Sequence, residues 1–478
     1  MTRLSGRALA TLLPDLGVGA QPTYSALASA ITSLLLDGRV APATRLPSER
    51  ELALTLSLSR ATVTSSYNAL RERGLLTSRT GSGSVTVLPS QLPSTPSTRW
   101  RTPSVPDRVG GDVIDLSTAA LPAPPQFDAA VRRAVDHLSS HTDGPGYGPM
   151  GLTVLRRAIA ERFTSRGVPT SPDQILVTNG ALHAIDLALR LLVSPGQRVL
   201  TELPTYSGLL DAVRASGART LAVPMAPDGG WQIASMVAAI RQNAPRLAIL
   251  IPDFHNPTGT LVPAEQRAEV FLTARRSGTP VLVDESFLEF GFLDPGPASA
   301  AIDPTVITVG SLSKVVWGGL RVGWVRASVQ QIQRLAAVRA AMDMGQSILE
   351  QLVAVELFPE LATISAQRRA VALARREFLL SELATRFPRW RTRPADGGLM
   401  QWVELDEPLA TPLALRSGQY GLRIVAGSRF GVDGTMERFL RVPFALAEPE
   451  LARAMDRLSS AWADLGGAGG GYSPLIVA

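Results

Sequence analysis

Lysine occurs once in this chain of 478 residues, at Lys314, and the other 46 of its 47 basic residues are arginine. Arginine therefore serves wherever a positive charge is sufficient, and the exception marks a place where charge is not enough. Lysine can shed its proton and condense with an aldehyde to a Schiff base, which arginine cannot do. The setting agrees. Lys314 stands in Gly310-Ser311-Leu312-Ser313-Lys314, after the apolar run Val306–Val309, and Gly318-Gly319-Leu320-Arg321 follows. A strand, a hydroxyl-rich turn, a lysine and then an arginine suit an aldehyde that bears a phosphate. Pyridoxal 5'-phosphate (PLP) is the candidate.

Other residues fall into roles around the same chemistry. Asp284 ends the run Val281–Val283, one β-α unit before Lys314, where a carboxylate can pair with the protonated pyridine nitrogen. Asn256, in His255-Asn256-Pro257-Thr258-Gly259, is placed to donate to the ring hydroxyl oxygen. Gly180-Ala181-Leu182 open a helix whose N–H groups suit a phosphate, and Ser311, Ser313 and Arg321 complete the cup. Tyr206, in Pro204-Thr205-Tyr206, can stack on the ring.

These residues need a scaffold that delivers them to one edge. From Ile114 to about Leu465, helical stretches such as Pro263–Arg276 alternate with the apolar runs Ile175–Val177, Leu247–Ile251, Val281–Val283 and Val306–Val309. That alternation predicts an α/β domain with a mostly parallel central sheet. In such sheets ligands sit at the carboxyl ends of the strands, where all the residues above fall.

Composition bounds the rest. The length implies two or three domains. With no cysteine, disulfides and thiolate metal sites are excluded, and His137, His141, His183 and His255 are too scattered for a metal cluster. No signal-peptide pattern or membrane-length apolar stretch is read, so a cytoplasmic protein is expected. The formal charge is +6, and residues 1–88 hold +4 of it, nine arginines against five acidic residues. A basic excess in a small segment points to a polyanion.

That segment reads as three helices and a hairpin. Leu27, Ile31, Leu34 and Leu35 mark one face of a helix that stops at Asp37-Gly38. Ser48-Glu49-Arg50-Glu51 has capping-box spacing and starts a second helix to Leu56. A third runs from Arg60 to Arg73, with Val63, Tyr67 and Leu70 on one face and Gly74 after it. Leu75–Val87 alternates around Gly81-Ser82-Gly83, a hairpin. The order is that of a winged helix-turn-helix, whose third helix enters the major groove of double-stranded DNA. Arg60, Thr62 and Thr64 are the expected base or phosphate contacts, Arg50 a phosphate contact, and Gly83 a point of close backbone approach. Twelve of the eighteen residues 89–106 are Pro, Ser or Thr, a linker composition. The expected domains are 1–88 for DNA binding, 89–112 as linker, 113–465 as the α/β domain and 466–478 as a flexible tail. Gly146-x-Gly148-x-x-Gly151 matches a dinucleotide fingerprint in form, but it follows a polar stretch and not a strand, so that reading is rejected.

Residues 22–88 resemble the GntR-type DNA-binding domain through Leu46-Pro47-Ser48-Glu49-Arg50-Glu51-Leu52-Ala53, Ser59-Arg60-Ala61-Thr62-Val63, Tyr67-Asn68-Ala69-Leu70 and Gly81-Ser82-Gly83. The larger part resembles a fold-type I PLP enzyme of the aspartate aminotransferase superfamily, with Gly146-Tyr147-Gly148-Pro149-Met150-Gly151-Leu152 and Phe439-Leu440-Arg441-Val442-Pro443-Phe444 as further matches. Joined, they are similar to the MocR subfamily of transcriptional regulators. The resemblance implies that Arg441 holds a substrate or effector carboxylate and that Tyr147 reaches the phosphate of the neighbouring subunit in a homodimer. It implies an operator of paired or repeated half-sites and an effector that is PLP or a small amino compound. The alternative is an active aminotransferase with a DNA-binding appendage. One departure bears on this choice. The family pattern places a tyrosine two or three residues after the ring-nitrogen aspartate, where this chain has Ser286 and Phe287. Loss of that hydroxyl counts against efficient transamination more than against cofactor binding.

Overall fold

The computed structural model describes residues 4–13, 23–36, 40, 44–72, 75–79, 83–87, 112–226, 229–292, 297–432 and 434–466. Asp37-Gly38, Gly74, Gly81-Ser82, the linker at 89–106 and the glycine tail beyond Gly466 lie outside the described residues. The chain divides into two compact units, one within residues 1–111 and the other from nearly all of the chain after Asp112.

The N-terminal unit contains helices α1 (Gly6–Leu12), α2 (Thr23–Leu36), α3 (Glu49–Leu56) and α4 (Arg60–Glu72), then strands β1 (Leu76–Arg79) and β2 (Gly83–Thr86). β1 and β2 are antiparallel, as the alternation requires, and Arg45 bridges Val85 on the far side of β2. The helix-spaced residues Leu27, Ile31, Val63, Tyr67 and Leu70 are all fully buried in one core. Tyr67 also donates its buried hydroxyl to the Pro47 carbonyl at 2.9 Å, which satisfies the one polar atom it brings inside.

Two features differ from expectation here. α1 has no counterpart in the sequence reading, yet its Leu9 is fully buried in the same core. The capping box at Ser48 forms by half: Ser48 Oγ accepts from the Glu51 amide at 3.1 Å, but the Glu51 carboxylate accepts from the Gly6 amide at 2.6 Å. The free N–H groups and positive end of α1 draw the carboxylate away from its own helix.

The large unit begins at β3 (Ile114–Asp115) and centres on a seven-stranded sheet. Its strands are β4 (Ile175–Thr178), β5 (Arg198–Leu203), β6 (Arg219–Pro224), β7 (Leu247–Leu250), β8 (Val281–Asp284), β9 (Ile307–Ser311) and β10 (Gly323–Arg326), in the order β4-β10-β9-β8-β7-β5-β6. β10 is antiparallel to both neighbours and the remaining pairs are parallel. The expected strands are present, and β5, β6 and β10 are added to them. β4, β7, β8 and β9 are buried at every position, which explains why they read as unbroken apolar runs and not as alternating ones. Since β10 opposes both β4 and β9, those two run the same way. The carboxyl ends of β4, β5, β7, β8 and β9 therefore share one edge. A second, antiparallel sheet of Arg391–Thr392, Met400–Glu404, Phe439–Pro443 and Val425–Ala426 carries Arg441.

Candidate cofactor pocket and DNA-facing helix

Each strand end delivers one polar residue to the shared edge. Lys314 lies on a single helical turn, Leu312–Val315, directly after β9, where a loop-like turn is expected from the sequence. Ser311 makes that turn. Its Oγ accepts from the Ser313 amide at 3.1 Å and is 2.9 Å from Ser313 Oγ and 3.2 Å from the Val322 carbonyl. Its hydroxyl is thus committed to capping, and Ser313 is the freer of the two for a phosphate.

The Lys314 amine donates to the Ala119 carbonyl at 3.0 Å and lies 5.4 Å from the centre of the Phe287 ring. Burial and the neighbouring Arg441 bring it down to about 8, with Asp284 pulling the other way. An amine so shifted is neutral often enough at ordinary pH to attack an aldehyde.

Asp284 closes β8 and is buried, and burial raises its carboxyl. Ser286 opposes that rise: its Oγ donates to Asp284 Oδ1 at 2.5 Å and its amide to the same oxygen at 2.9 Å. Asn256 and Arg441, both buried, meet where Arg441 Nη1 donates to Asn256 Oδ1 at 3.4 Å. Arg441 also donates to the Ser117 carbonyl and lies over the Phe430 ring, 4.9 Å from its centre. Its Nε is sealed from solvent with no partner among the described residues, an orphan that a ligand oxygen can satisfy. Tyr206 follows β5, and the charges of Arg441, Asp284 and Arg321 all act on its hydroxyl.

The anion cup is also present. The helix Ala181–Leu192 begins after Gly180, which has φ 85°. A Cβ at Gly180 would sit 2.9 Å from Arg321 Nη2, so glycine is needed to let that guanidinium lie across the helix start. Arg321 donates to the Asn179 carbonyl at 2.5 Å, and the Asn179 side chain donates to Asp343 at 2.8 Å. Ala181 and Leu182 thus bring backbone donors to a point with a fixed cation beside it. Tyr147 is 69% exposed, clear of these contacts. Glu289 pairs with Arg162 and Arg166, while His183 accepts from the Asn179 amide and His255 Nδ1 bonds Thr258. The amine, the carboxylate and the anion cup fit PLP, and the orphaned Arg441 nitrogen fits a carboxylate-bearing ligand. The Ser117 and Ala119 carbonyls are site groups that the sequence reading missed, and the bond of Ser286 to Asp284 was not foreseen. Backbone carbonyls leave no sequence signal, whereas Ser286 stood in plain view beside Asp284.

In the N-terminal unit, Arg50 and Arg60 are exposed at the first turns of α3 and α4. Thr62 and Thr64 commit their hydroxyls to neighbouring side chains of the same unit. Thr62 Oγ1 lies 2.7 Å from Ser59 Oγ, and Thr64 donates to Glu49 at 2.8 Å. The outward stripe of α4 is instead Ala61, Ser65 and Asn68, opposite the buried Val63, Ser66, Tyr67 and Leu70. Helical spacing alone could have found Ser65 and Asn68. At Gly83, φ is 76°, and a Cβ would lie 2.9 Å from Arg45 Nε. The space that glycine opens at the wing is therefore taken by Arg45.

Residues 111–458 match the family described as aminotransferase class I and II, and residues 23–85 match bacterial regulatory proteins of the gntR family. The chain belongs to the class I and II aminotransferase family, and the added gntR segment gives it a MocR-like architecture. It is 28% identical over 419 residues to the uncharacterized HTH-type transcriptional regulator YisV of Bacillus subtilis, covering 81% of this chain and 85% of the relative. It is 31% identical over 361 residues to 2-aminoadipate transaminase of Thermus thermophilus, covering 71% and 88%. Among solved structures, LysN, an alpha-aminoadipate aminotransferase from Thermus thermophilus complexed with N-(5'-phosphopyridoxyl)-L-leucine, matches with TM-score 0.68 at 28% identity, over 74% of this chain and 93% of LysN. The fold is that of a fold-type I aminotransferase joined to a GntR helix-turn-helix.

Proposed function

We propose that this protein is a DNA-binding transcriptional regulator whose aminotransferase-like domain holds PLP at Lys314 and senses PLP or a small amino compound. The observation that carries the reading is the convergence of Lys314, Asp284 and Arg441 on one pocket in a chain that also bears a GntR unit. PLP, when bound, supplies an aldehyde carbon that takes amines and a pyridinium ring that withdraws electrons. Lys314 provides the amine, Asp284 a carboxylate for the ring nitrogen, and Asn256 a donor for the ring oxygen. Ala181, Leu182, Ser313 and Arg321 hold the phosphate. Tyr206 stacks on the ring, and Tyr147 serves the neighbouring subunit of a cytoplasmic homodimer. Of the DNA-contact set expected from the sequence, Arg50 and Arg60 are foremost because both are exposed, whereas Thr62, Thr64 and Gly83 are engaged by Ser59, Glu49 and Arg45. The domains are taken as 1–88, 89–112 and 113–465, with a tail at 466–478.

The route from pocket to linker is short in sequence. The Ser117 and Ala119 carbonyls occupy Arg441 and Lys314, and they belong to the segment through which the chain enters the large unit. The start of that segment is anchored: β3 pairs with Leu422–Arg423, and Asp112 pairs with Arg457. A carboxylate on Arg441 competes with Ser117, and an aldehyde on Lys314 removes the donor to Ala119. Ligands that take up Arg441 or Lys314 therefore disfavour this placement of the segment, and such a difference in affinity is the requirement for a ligand-driven shift.

The test is binding of the purified protein to its own upstream DNA while PLP is titrated into cofactor-free protein. A PLP-dependent change in affinity or complex mobility supports the reading, and an amine panel then identifies the effector. The likeness to 2-aminoadipate transaminase favours a second reading, a working aminotransferase. Sustained multiple-turnover release of a 2-oxo acid from an amino donor would establish it.

A further inference from the structure

The second and third residues after Asp284, Ser286 and Phe287, set which hydroxyl groups the pocket has. Ser286 does not reach toward the Lys314 side of the pocket. Its hydroxyl turns back onto Asp284 Oδ1 at 2.5 Å, beside its own amide at 2.9 Å on the same oxygen. The amide bond alone is a local turn that any residue could make. The hydroxyl adds a second donor that only serine or threonine could supply at this position, and a short O–H···O⁻ bond of this kind is charge-assisted. Asp284 Oδ2 accepts no hydrogen bond from any described residue. One oxygen is fixed by two donors, so the plane of the carboxylate is set and the other oxygen is free to face a ligand.

Phe287 takes the next position. It is buried, and it packs edge-on against Phe290 with ring centres 6.3 Å apart, so its orientation is fixed. It offers the Lys314 amine a ring face at 5.4 Å in place of a hydroxyl. At the other end of the pocket, Asn256 gives its Oδ1 to Arg441, which leaves its amide hydrogens to face the ring oxygen.

We infer that Ser286 is a positioning residue for Asp284: it locks the carboxylate so that Oδ2 meets the pyridine nitrogen, and with Phe287 beneath the lysine the pocket grips the cofactor's nitrogen end. The inference rests on the PLP reading above. It assigns to this chain a site tuned to retain the cofactor. A donor set that favours the charged carboxylate also favours a protonated ring nitrogen.

The test compares wild-type protein with Ser286→Ala and Ser286→Thr. Ser286 lines a cavity together with Glu285, Ser299 and Ser311, which makes threonine the conservative replacement to try there. Two quantities are measured on each: the dissociation constant for PLP by equilibrium dialysis, and the ¹⁵N shift of ring-labelled PLP in the complex. The alanine variant should bind PLP about tenfold more weakly, equivalent to about 1.4 kcal/mol, with the ring nitrogen shifted toward its unprotonated value. Threonine should restore both. Alanine behaving as wild type in both measurements overturns the inference, and so does an equal loss with alanine and threonine, which would mean packing alone. Wild-type protein that takes up no PLP would overturn the cofactor reading itself, a result separate from either of these.

Discussion

The Lys314 amine and the Ala119 carbonyl are hydrogen-bonded at 3.0 Å although 195 residues separate them. The only lysine of the chain is thus held by the segment that follows the linker. Its replacement by alanine should abolish covalent retention of PLP and most of the ligand response while leaving the fold intact. Borohydride reduction and peptide mapping check this directly, because Lys314 is the only side-chain amine. Wild-type protein should give a pyridoxyl adduct on the Lys314 peptide and the variant none. A normal effector response from Lys314→Ala would defeat the Schiff-base mechanism.

Capture of PLP should depend on pH through the same group. With the amine at about 8, the reactive neutral form grows as pH rises and levels off above that value. Mixing cofactor-free protein with PLP at a series of pH values should give a rate with its midpoint near 8. A midpoint near the ordinary lysine value of about 10.4 would show that neither burial nor Arg441 acts on it.

Removal of the Arg441 guanidinium separates two functions. Arg441→Ala should weaken carboxylate-bearing effectors roughly tenfold or more, in line with loss of a charged hydrogen bond, and leave PLP affinity within about twofold. Calorimetric titration with PLP and with an amino acid reads both. Equal loss of the two would make the residue structural, through Asn256 and Ser117.

Stability should fall toward alkaline pH for a reason unrelated to ligands. Glu202 is fully buried, accepts from the Ile251 amide at 2.7 Å and the Trp231 indole at 3.3 Å, and is pushed up to about 7 by burial. The folded state therefore keeps a proton that the unfolded chain has already lost above about 4.5. That contribution is complete at low pH and disappears as pH rises through 7. Glu202→Gln should flatten the decline between pH 5 and 8 by an amount on the order of 2 kcal/mol. Parallel denaturation curves for the two proteins would refute it.

On the DNA side, Arg60→Ala should cost about 1–3 kcal/mol of operator affinity if the side chain makes a bidentate base contact. Asn68→Ala should change base preference at one position, because Asn68 faces outward and its Oδ1 is held by Arg71 at 2.5 Å, leaving its amide hydrogens to a base edge. Thr64→Ala should have the smaller effect on DNA, since its hydroxyl is spent on Glu49. Binding to a set of single-base operator variants distinguishes the three.

How far the sequence could be read follows from what kind of signal each feature leaves. Lys314, Asp284 and Asn256 were legible because strand ends are marked by apolar runs, and ligand residues sit just past them. Arg441 was legible only through resemblance, since it lies on a different sheet, and no local pattern ties that sheet to Lys314. The largely buried β5, the half-exposed β6 and the antiparallel β10 were not read, because short apolar stretches do not declare their partners. Thr64 shows the limit of position-based inference. It belongs to the right helix, yet Glu49 from α3 claims its hydroxyl, a contact 15 residues away that spacing does not encode.

The helix α1 also decides where the DNA-reading head can be cut free. The gntR match begins at residue 23, but Leu9 is fully buried in that unit's core and Gly6 is tied to Glu51. A fragment that starts at the family boundary would open a leucine-sized hole, at a cost of about 1.5–3 kcal/mol, and strip the partner from a carboxylate on α3. A fragment that keeps Leu9 in the core and Gly6 on Glu51 starts at Leu4 or earlier. Expression trials that begin at Thr23 would yield a weakened protein, whose poor DNA binding would say nothing about the operator.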